Sequence, residues 1–281
     1  MYNLYDIDTI KSILQKNGFS FSKALGQNFI IDPDVCPNMA EAAVPSDKYG
    51  VLEVGPGIGV LTAELAKRAA KVVAIELDDR LLPILDKTLA DYNNVTIIHG
   101  DVMKIDLSET IDREFPNMPV VICANLPYYI TSPVIMKLLE SNLRAESIVV
   151  MVQAEAADRL CAQVGTRDAG AVTVAVNFYA EAEELFFVPR DCFMPAPKVD
   201  SKVMRLSIRP EPIDNVDEDK FFTMVKTGFT KRRKTIMNSL VFGPVTKESL
   251  KQVLDELQIS STARIEELSM QNLLDIYKKL F

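Results

Sequence analysis

Apolar and polar positions come in alternating blocks along most of the chain. Near-continuous apolar runs occur at GVLEV (50–54), KVVAIE (71–76), NVTIIHGD (94–101), PVVICAN (119–125) and ESIVVMV (146–152). All but the third lead into stretches with helical spacing, such as GVLTAELAKRA, DDRLLPILDKTLA, SPVIMKLLE and QAEAADRLCA. Strands that are apolar on both faces and separated by helices belong to a parallel sheet covered on both sides. That pattern predicts a doubly wound α/β domain. AVTVAVNFYA (171–180) fits a strand or a helix, and periodicity does not choose between them. EELFFVP and SKVMRLSIRP read as two further strands, paired antiparallel at one edge.

Past the Pro- and Asp-rich RPEPIDNVDEDK the pattern changes. FFTMVKTGFTKRRKTIMNSL, TKESLKQVLDEL and RIEELSMQNLLDIYKKLF each read as an amphipathic helix, with no strand between them. The expected division is therefore a domain at 1–210 and a small all-helical domain at 211–281.

Composition narrows the chemistry. Of 281 residues, 48% are hydrophobic and 25% charged, enough for a sizeable core, and no apolar run reaches the length of a membrane span. The N-terminus has neither a signal-peptide nor a transit-peptide pattern, so a cytoplasmic location without a membrane partner is expected. Cys36, Cys123, Cys161 and Cys192 are too scattered for a zinc pair or a disulfide framework, and are read as reduced and mostly buried. With His99 as the one histidine, a His-based triad or His-rich metal site is improbable, and no metal is expected. Amides, carboxylates, backbone groups and aromatics are left to carry the reaction.

The net charge of −8 argues at first against a nucleic-acid partner. Charge is unevenly spread, however. From Lys220 to Lys247 there are seven Lys or Arg residues, including Lys231, Arg232, Arg233 and Lys234, and no Asp or Glu. Such a run is equally compatible with a solvated helix face and with a phosphate-binding patch.

Candidate chemistry collects at strand ends. VLEVGPGIGVLT runs a strand into Gly55, Gly57 and Gly59 and then a helix, a turn that lets backbone approach a ligand. The second strand ends in Glu76, an acceptor for ribose hydroxyls, and the third in Asp101, which could accept from an adenine amino group. Nicotinamide dinucleotides and S-adenosylmethionine both contain an adenosine and both fit this far. The fourth strand ends in Asn125-Leu126-Pro127-Tyr128, a corner suited to a planar, weakly polar group.

Taken together, Glu53-Val-Gly-Pro-Gly-Ile-Gly59, Gly26-Gln-Asn-Phe29, Asn125-Leu-Pro-Tyr128 and Phe193-Met-Pro-Ala-Pro-Lys-Val-Asp-Ser201 resemble the ribosomal RNA adenine N6,N6-dimethyltransferases of the KsgA/RsmA type. The resemblance spans roughly residues 20–240. It implies a class I S-adenosylmethionine-dependent methyltransferase domain with a small helical C-terminal domain. The implied reaction is dimethylation of two adjacent adenosines near the 3′ end of 16S rRNA within the small ribosomal subunit. The resemblance also places Asn28 and the backbone around Ile30 over the methionine end of the cofactor, and Phe193 as a second aromatic face opposite Tyr128. Lys198, Lys231, Arg232, Arg233 and Lys234 would track RNA phosphates, and a monomer is expected.

Exocyclic N6 of adenine is a poor nucleophile because its lone pair is delocalised into the ring. Hydrogen bonds accepted by the Asn125 side-chain oxygen and the Leu126 carbonyl would localise that pair. Pro127 fixes the turn, and the Tyr128 face offers a stacking surface. Among competing readings, a macrolide-resistance enzyme acting on 23S rRNA shares fold and pocket. Leu126 and the full FMPAPKVDS run favour the small-subunit enzyme over it. A mitochondrial transcription-factor relative, a non-catalytic ribosome-assembly factor and a nicotinamide dehydrogenase are the remaining alternatives.

Overall fold

The computed structural model describes residues 2–19 and 27–281. Part of the expected cofactor segment KALGQNFIIDP, residues 23–26, therefore lies outside the described residues. Nine strands are found among those described: β1 (Phe29–Ile30), β2 (Gly50–Val54), β3 (Lys71–Glu76), β4 (Val95–His99), β5 (Val120–Asn125), β6 (Ser147–Gln153), β7 (Ala180–Val188), β8 (Phe193–Met194) and β9 (Ser201–Ile208). Seven make one sheet in the order β4-β3-β2-β5-β6-β9-β7, and β1 pairs with β8 in a separate two-stranded ladder.

The first five strands of the large sheet are mutually parallel, and β9 returns antiparallel to β6. All five residues of β2 are buried, as are the first five of β5 and the middle five of β6. Strands apolar on both faces require cover on both faces, which the intervening helices give. Edge strand β4 is only partly buried. At the other edge β7 lies beside β9, and the ion pairs Lys202–Glu184, Arg205–Glu183 and Arg209–Glu181 step in opposite directions along the two strands. Having built β2, β3 and β4 outward, the chain crosses back to place β5 on the free side of β2. Sheets of this kind bind ligands at such a reversal, outside the carboxyl ends of the strands.

The chain divides into two compact units, one comprising 1–157 and 183–208, the other 158–182 and 209–281. The crossing at 208/209 falls beside the expected boundary, but the second unit also takes in 158–182, assigned from sequence to the first domain. Its reason is the ambiguous segment. Residues Ala171–Tyr179 form a helix whose Thr173 hydroxyl accepts from the Gly170 N–H at 2.8 Å and donates to the Arg159 carbonyl at 2.7 Å. Phe178 and Tyr179 at its end pack with Phe221 and Phe222 of the helix Glu218–Thr230, at ring separations of 5.4–5.5 Å. The Tyr179 hydroxyl donates to Glu218 at 2.6 Å. Aromatic burial in this second core, rather than β-propensity, decides the conformation.

Two expected helices are shorter than their patterns. FFTMVKTGFTKRRKTIMNSL is helical only to Thr230, turns through 231–234, and resumes at Ile236–Ser239. Like charges crowded within one turn oppose continuation. RIEELSMQNLLDIYKKLF breaks into a short 3-10 turn, Ile265–Glu267, and a helix, Met270–Leu280, capped by the Ser269 hydroxyl accepting from the Asn272 N–H. No helix among the described residues is long and apolar enough to cross a membrane.

Candidate active site

A cleft opens at the carboxyl ends of β2, β3, β4 and β5, within the first unit. Every residue expected to bind cofactor or act on the base lines it: Asn28, Ile30, Gly55, Gly57, Glu76, Asp101, Asn125, Leu126, Pro127, Tyr128 and Phe193. Sequence separation had hidden none of them.

The glycine turn is built around Glu76. Gly57 has φ +61° and donates its N–H to the Glu76 carboxylate at 3.2 Å, while the Asp78 N–H donates to the other oxygen at 2.8 Å. Gly59, at φ +90°, starts the helix Val60–Ala66, and a side chain there would strike Leu89 at 3.0 Å. Above Gly55 nothing lies within 4 Å of where a Cβ would stand, so the turn presents open space to the cleft. Burial raises the Glu76 pKa, and the N–H groups of Asp78 and Gly57 work against that shift. Asp101 Oδ1 accepts from the Met103 N–H at 2.9 Å, and Lys104 Nζ lies 3.7 Å from Oδ2. The apolar side chains of Leu77 and Val102 follow these acids and line the same cleft.

Glu53 belongs to the glycine motif, but sequence reasoning gives it no role of its own. It lines the cleft, is 1% exposed, and burial pushes its pKa up to about 8. Thr62 is its polar neighbour, yet neither Glu53 Oε2 nor Thr62 Oγ1 completes a hydrogen bond. An acid inside an otherwise apolar buried strand was the available signal.

At the end of β5 the Asn125 amide and the Leu126 carbonyl meet no hydrogen-bond partner among the described residues. The Pro127 carbonyl is occupied, by the Ile130 N–H at 3.1 Å and the Thr131 hydroxyl at 3.3 Å. Tyr128 is half-buried, and its hydroxyl lies 2.8 Å from Oγ of fully buried Ser201. Burial raises the Tyr128 pKa, so the phenol stays neutral. Ser201 begins β9 and therefore fixes the ring against the sheet. Phe193 is 3% exposed, and its backbone pairs with Ile30 across the β1–β8 ladder.

The basic residues divide. Lys198 is exposed in the loop between β8 and β9. In the second unit Lys231, Arg233 and Lys234 are exposed in the turn, whereas Arg232 is half-buried. The Arg232 guanidinium donates to the Glu266 carboxylate and to the Arg167 carbonyl. Arg232 thus also ties the turn to two other segments of the second unit.

Sheet order, the glycine turn, Glu76 at the end of β3 and Asp101 just past β4 define the class I methyltransferase fold. The family model described as "Ribosomal RNA adenine dimethylase" matches residues 18–281, and the chain belongs to that family. It is 49% identical over 267 residues to a protein named Ribosomal RNA small subunit methyltransferase A from a Geobacillus species, covering 93% of this chain and 92% of that one. A relative of the same name from Bacillus cytotoxicus is also 49% identical. Among solved structures, a dimethyladenosine transferase from Plasmodium falciparum aligns with a TM-score of 0.71 at 27% identity, covering 90% of this chain and 99% of the other. The 23S rRNA methyltransferase ErmE aligns with a TM-score of 0.67 at 29% identity, with the same coverage.

Proposed function

We propose that this protein dimethylates N6 of two adjacent adenosines in the 3′-terminal hairpin of 16S rRNA, using S-adenosylmethionine. The observation that carries the reading is the pair of acceptors at Asn125 and Leu126, unpartnered among the described residues and set between a cofactor cleft and an anchored aromatic ring.

The cleft fits an adenosine bearing an amino acid. Glu76 suits the ribose hydroxyls, Asp101 the adenine amino group, and Leu77 and Val102 the flat apolar ring. Burial keeps the Glu53 carboxyl neutral in the ligand-free protein, and an ammonium beside the unpartnered Oε2 would favour its ionised form, while the open space at Gly55 admits a chain passing close to backbone. Asn28 and Ile30 lie on the same cleft and would cover the methionine end. When bound, the cofactor supplies an electrophilic methyl group on a sulfonium.

In the first transfer Asn125 Oδ1 and the Leu126 carbonyl would accept from the two N6 hydrogens, and in the second one of them from the single hydrogen left, drawing the lone pair out of the ring and aiming it along the transfer line. Tyr128 stacks on the base, with Ser201 holding its ring, and Phe193 stands as the second aromatic wall. As N6 takes up a methyl group it would become cationic, and hydrogen bonds to Asn125 and Leu126 would strengthen. The proton then leaves to water. Positioning is the main device, with no protein base required. Exposed Lys198, Lys231, Arg233 and Lys234 would hold phosphates. The 49% identity to small-subunit enzymes, against 29% to ErmE, favours this substrate over 23S rRNA. A monomer working in the cytoplasm completes the reading.

Asn125→Ala tests it. Single-turnover methylation of small subunits lacking the modification, at saturating cofactor, should slow by about a hundredfold to a thousandfold. Folding and most cofactor affinity should persist. A rate near that of the parent would make the corner structural and remove the lone-pair argument.

A further inference from the structure

The two consecutive tyrosines of the NLPYY corner have opposite environments. Tyr128 is half-buried and tied to Ser201. Tyr129 lines the same cleft but is 56% exposed, and among the described residues neither a hydrogen bond nor another ring holds its side chain. Its backbone is not loose, since the turn beneath it is closed by the Ile130 N–H on the Pro127 carbonyl at 3.1 Å. A rigid turn therefore carries a bare aromatic face at the rim. The other strongly exposed apolar side chain lining the cleft, Leu77, follows Glu76 on the cofactor side. Tyr129 follows the base-side acceptors instead.

Resting on the function proposed above, we infer that Tyr129 stacks on the nucleobase next to the target adenosine in the RNA strand. A base drawn into a pocket leaves its neighbour with one unstacked face. Single-stranded RNA is recognised largely by stacking such faces on aromatic side chains. A ring one residue along from Tyr128, on the same turn and outside the pocket, can replace the missing stack. For an enzyme that modifies adjacent adenosines, this ring would hold one while the other reacts.

The test uses the full-length protein and two readouts. The first is fluorescence of a single-stranded RNA with two adenosines followed by 2-aminopurine, whose emission falls on stacking. The parent should quench it, as should Tyr129→Phe and Tyr129→Trp, while Tyr129→Ala should not. The second is steady-state methylation of unmodified small subunits. Tyr129→Ala should raise KM about five- to a hundredfold, the worth of one stacked base, with kcat little changed and full rescue in Tyr129→Phe. Calorimetric affinity for S-adenosylmethionine should be unaltered. Quenching by Tyr129→Ala equal to the parent's overturns the inference, as does a parallel loss of cofactor affinity, which would assign the ring to the cofactor. A parent that quenches without methylating would sink the proposed reaction and leave the stacking role standing.

Discussion

Ile30 and Phe193 face each other in the antiparallel ladder of β1 and β8, and the Ile31 N–H donates to the Cys192 carbonyl at 2.9 Å. Backbone expected over the cofactor's methionine end is thereby bonded to backbone carrying Phe193, the proposed second wall of the base pocket. Ligand binding at one strand should steady the other. With saturating S-adenosylmethionine, amide exchange at 29–31 and at 193–194 should slow together, by up to about a hundredfold at a hundred times Kd if both open with the site. Hydrogen-exchange mass spectrometry reads this directly. Slowing confined to 29–31 would show that the ladder does not couple the two.

Glu53 sets a pH dependence. Its carboxyl is raised by burial to about 8 in the folded protein, while in the unfolded chain it titrates near the ordinary 4.5. Between those values the folded state holds a proton that the unfolded state has released, so stability falls as pH rises through this window. The slope attributable to Glu53 approaches about 1.4 kcal/mol per pH unit. Urea denaturation of the ligand-free protein at several pH values from 5 to 8.5 should show Glu53→Gln gaining on the parent as pH rises. A constant difference between them would mean that Glu53 is already ionised at neutral pH.

Glu76 has two duties, toward Gly57 and Asp78 in the protein and toward the ribose in the proposed complex. Glu76→Ala should weaken S-adenosylmethionine binding by about tenfold to a hundredfold, as expected for loss of charge-assisted hydrogen bonds. Affinity for RNA should change little. Calorimetric titration checks both, and unaltered cofactor affinity would remove Glu76 from the site.

The Tyr128–Ser201 contact can be weighed by a double-mutant cycle. Tyr128→Phe keeps the ring but leaves the Ser201 oxygen buried without this partner, costing about 1 kcal/mol of stability. Ser201→Ala on top of it should cost little more, giving a coupling energy of about 0.5–1.5 kcal/mol. Strict additivity would show the bond to be energetically idle. Tyr128→Ala, by contrast, should raise the apparent requirement for RNA substrate.

Within the basic turn, Arg232 and its neighbours should behave differently. Arg232→Ala strips Glu266 and the Arg167 carbonyl of their donor and should destabilise the protein by up to about 1 kcal/mol, since the pair is partly screened by solvent. Arg233→Glu with Lys234→Glu should spare the fold and lower RNA affinity, reducing the salt slope by about one for each phosphate no longer neutralised. Denaturation and filter-binding across a salt series separate the two. An unchanged slope in the Arg233/Lys234 variant would leave the turn merely solvated.

Much of this was legible because local pattern and tertiary role coincided. Strands such as GVLEV and PVVICAN are apolar on both faces, and only a covered parallel sheet accommodates that. Gly57, Glu76, Asp101 and Asn125 each end or follow such a strand, so the fold that buries the strands also gathers their ends. One-dimensional pattern was silent where the deciding partner is distant. AVTVAVNFYA advertised burial without saying against what, and the aromatic core around Phe221 and Phe222 made it a helix of the second unit. KRRK advertised charge, but not that Arg232 alone of the four finds Glu266 and the Arg167 carbonyl, 34 and 65 residues away. Strands β1 and β8 are two residues each, too short for any periodicity, so the pairing of Ile30 with Phe193 has no sequence signature. Periodicity reports whether a side chain is buried. Which group it is buried against depends on contacts that form only once the chain has folded.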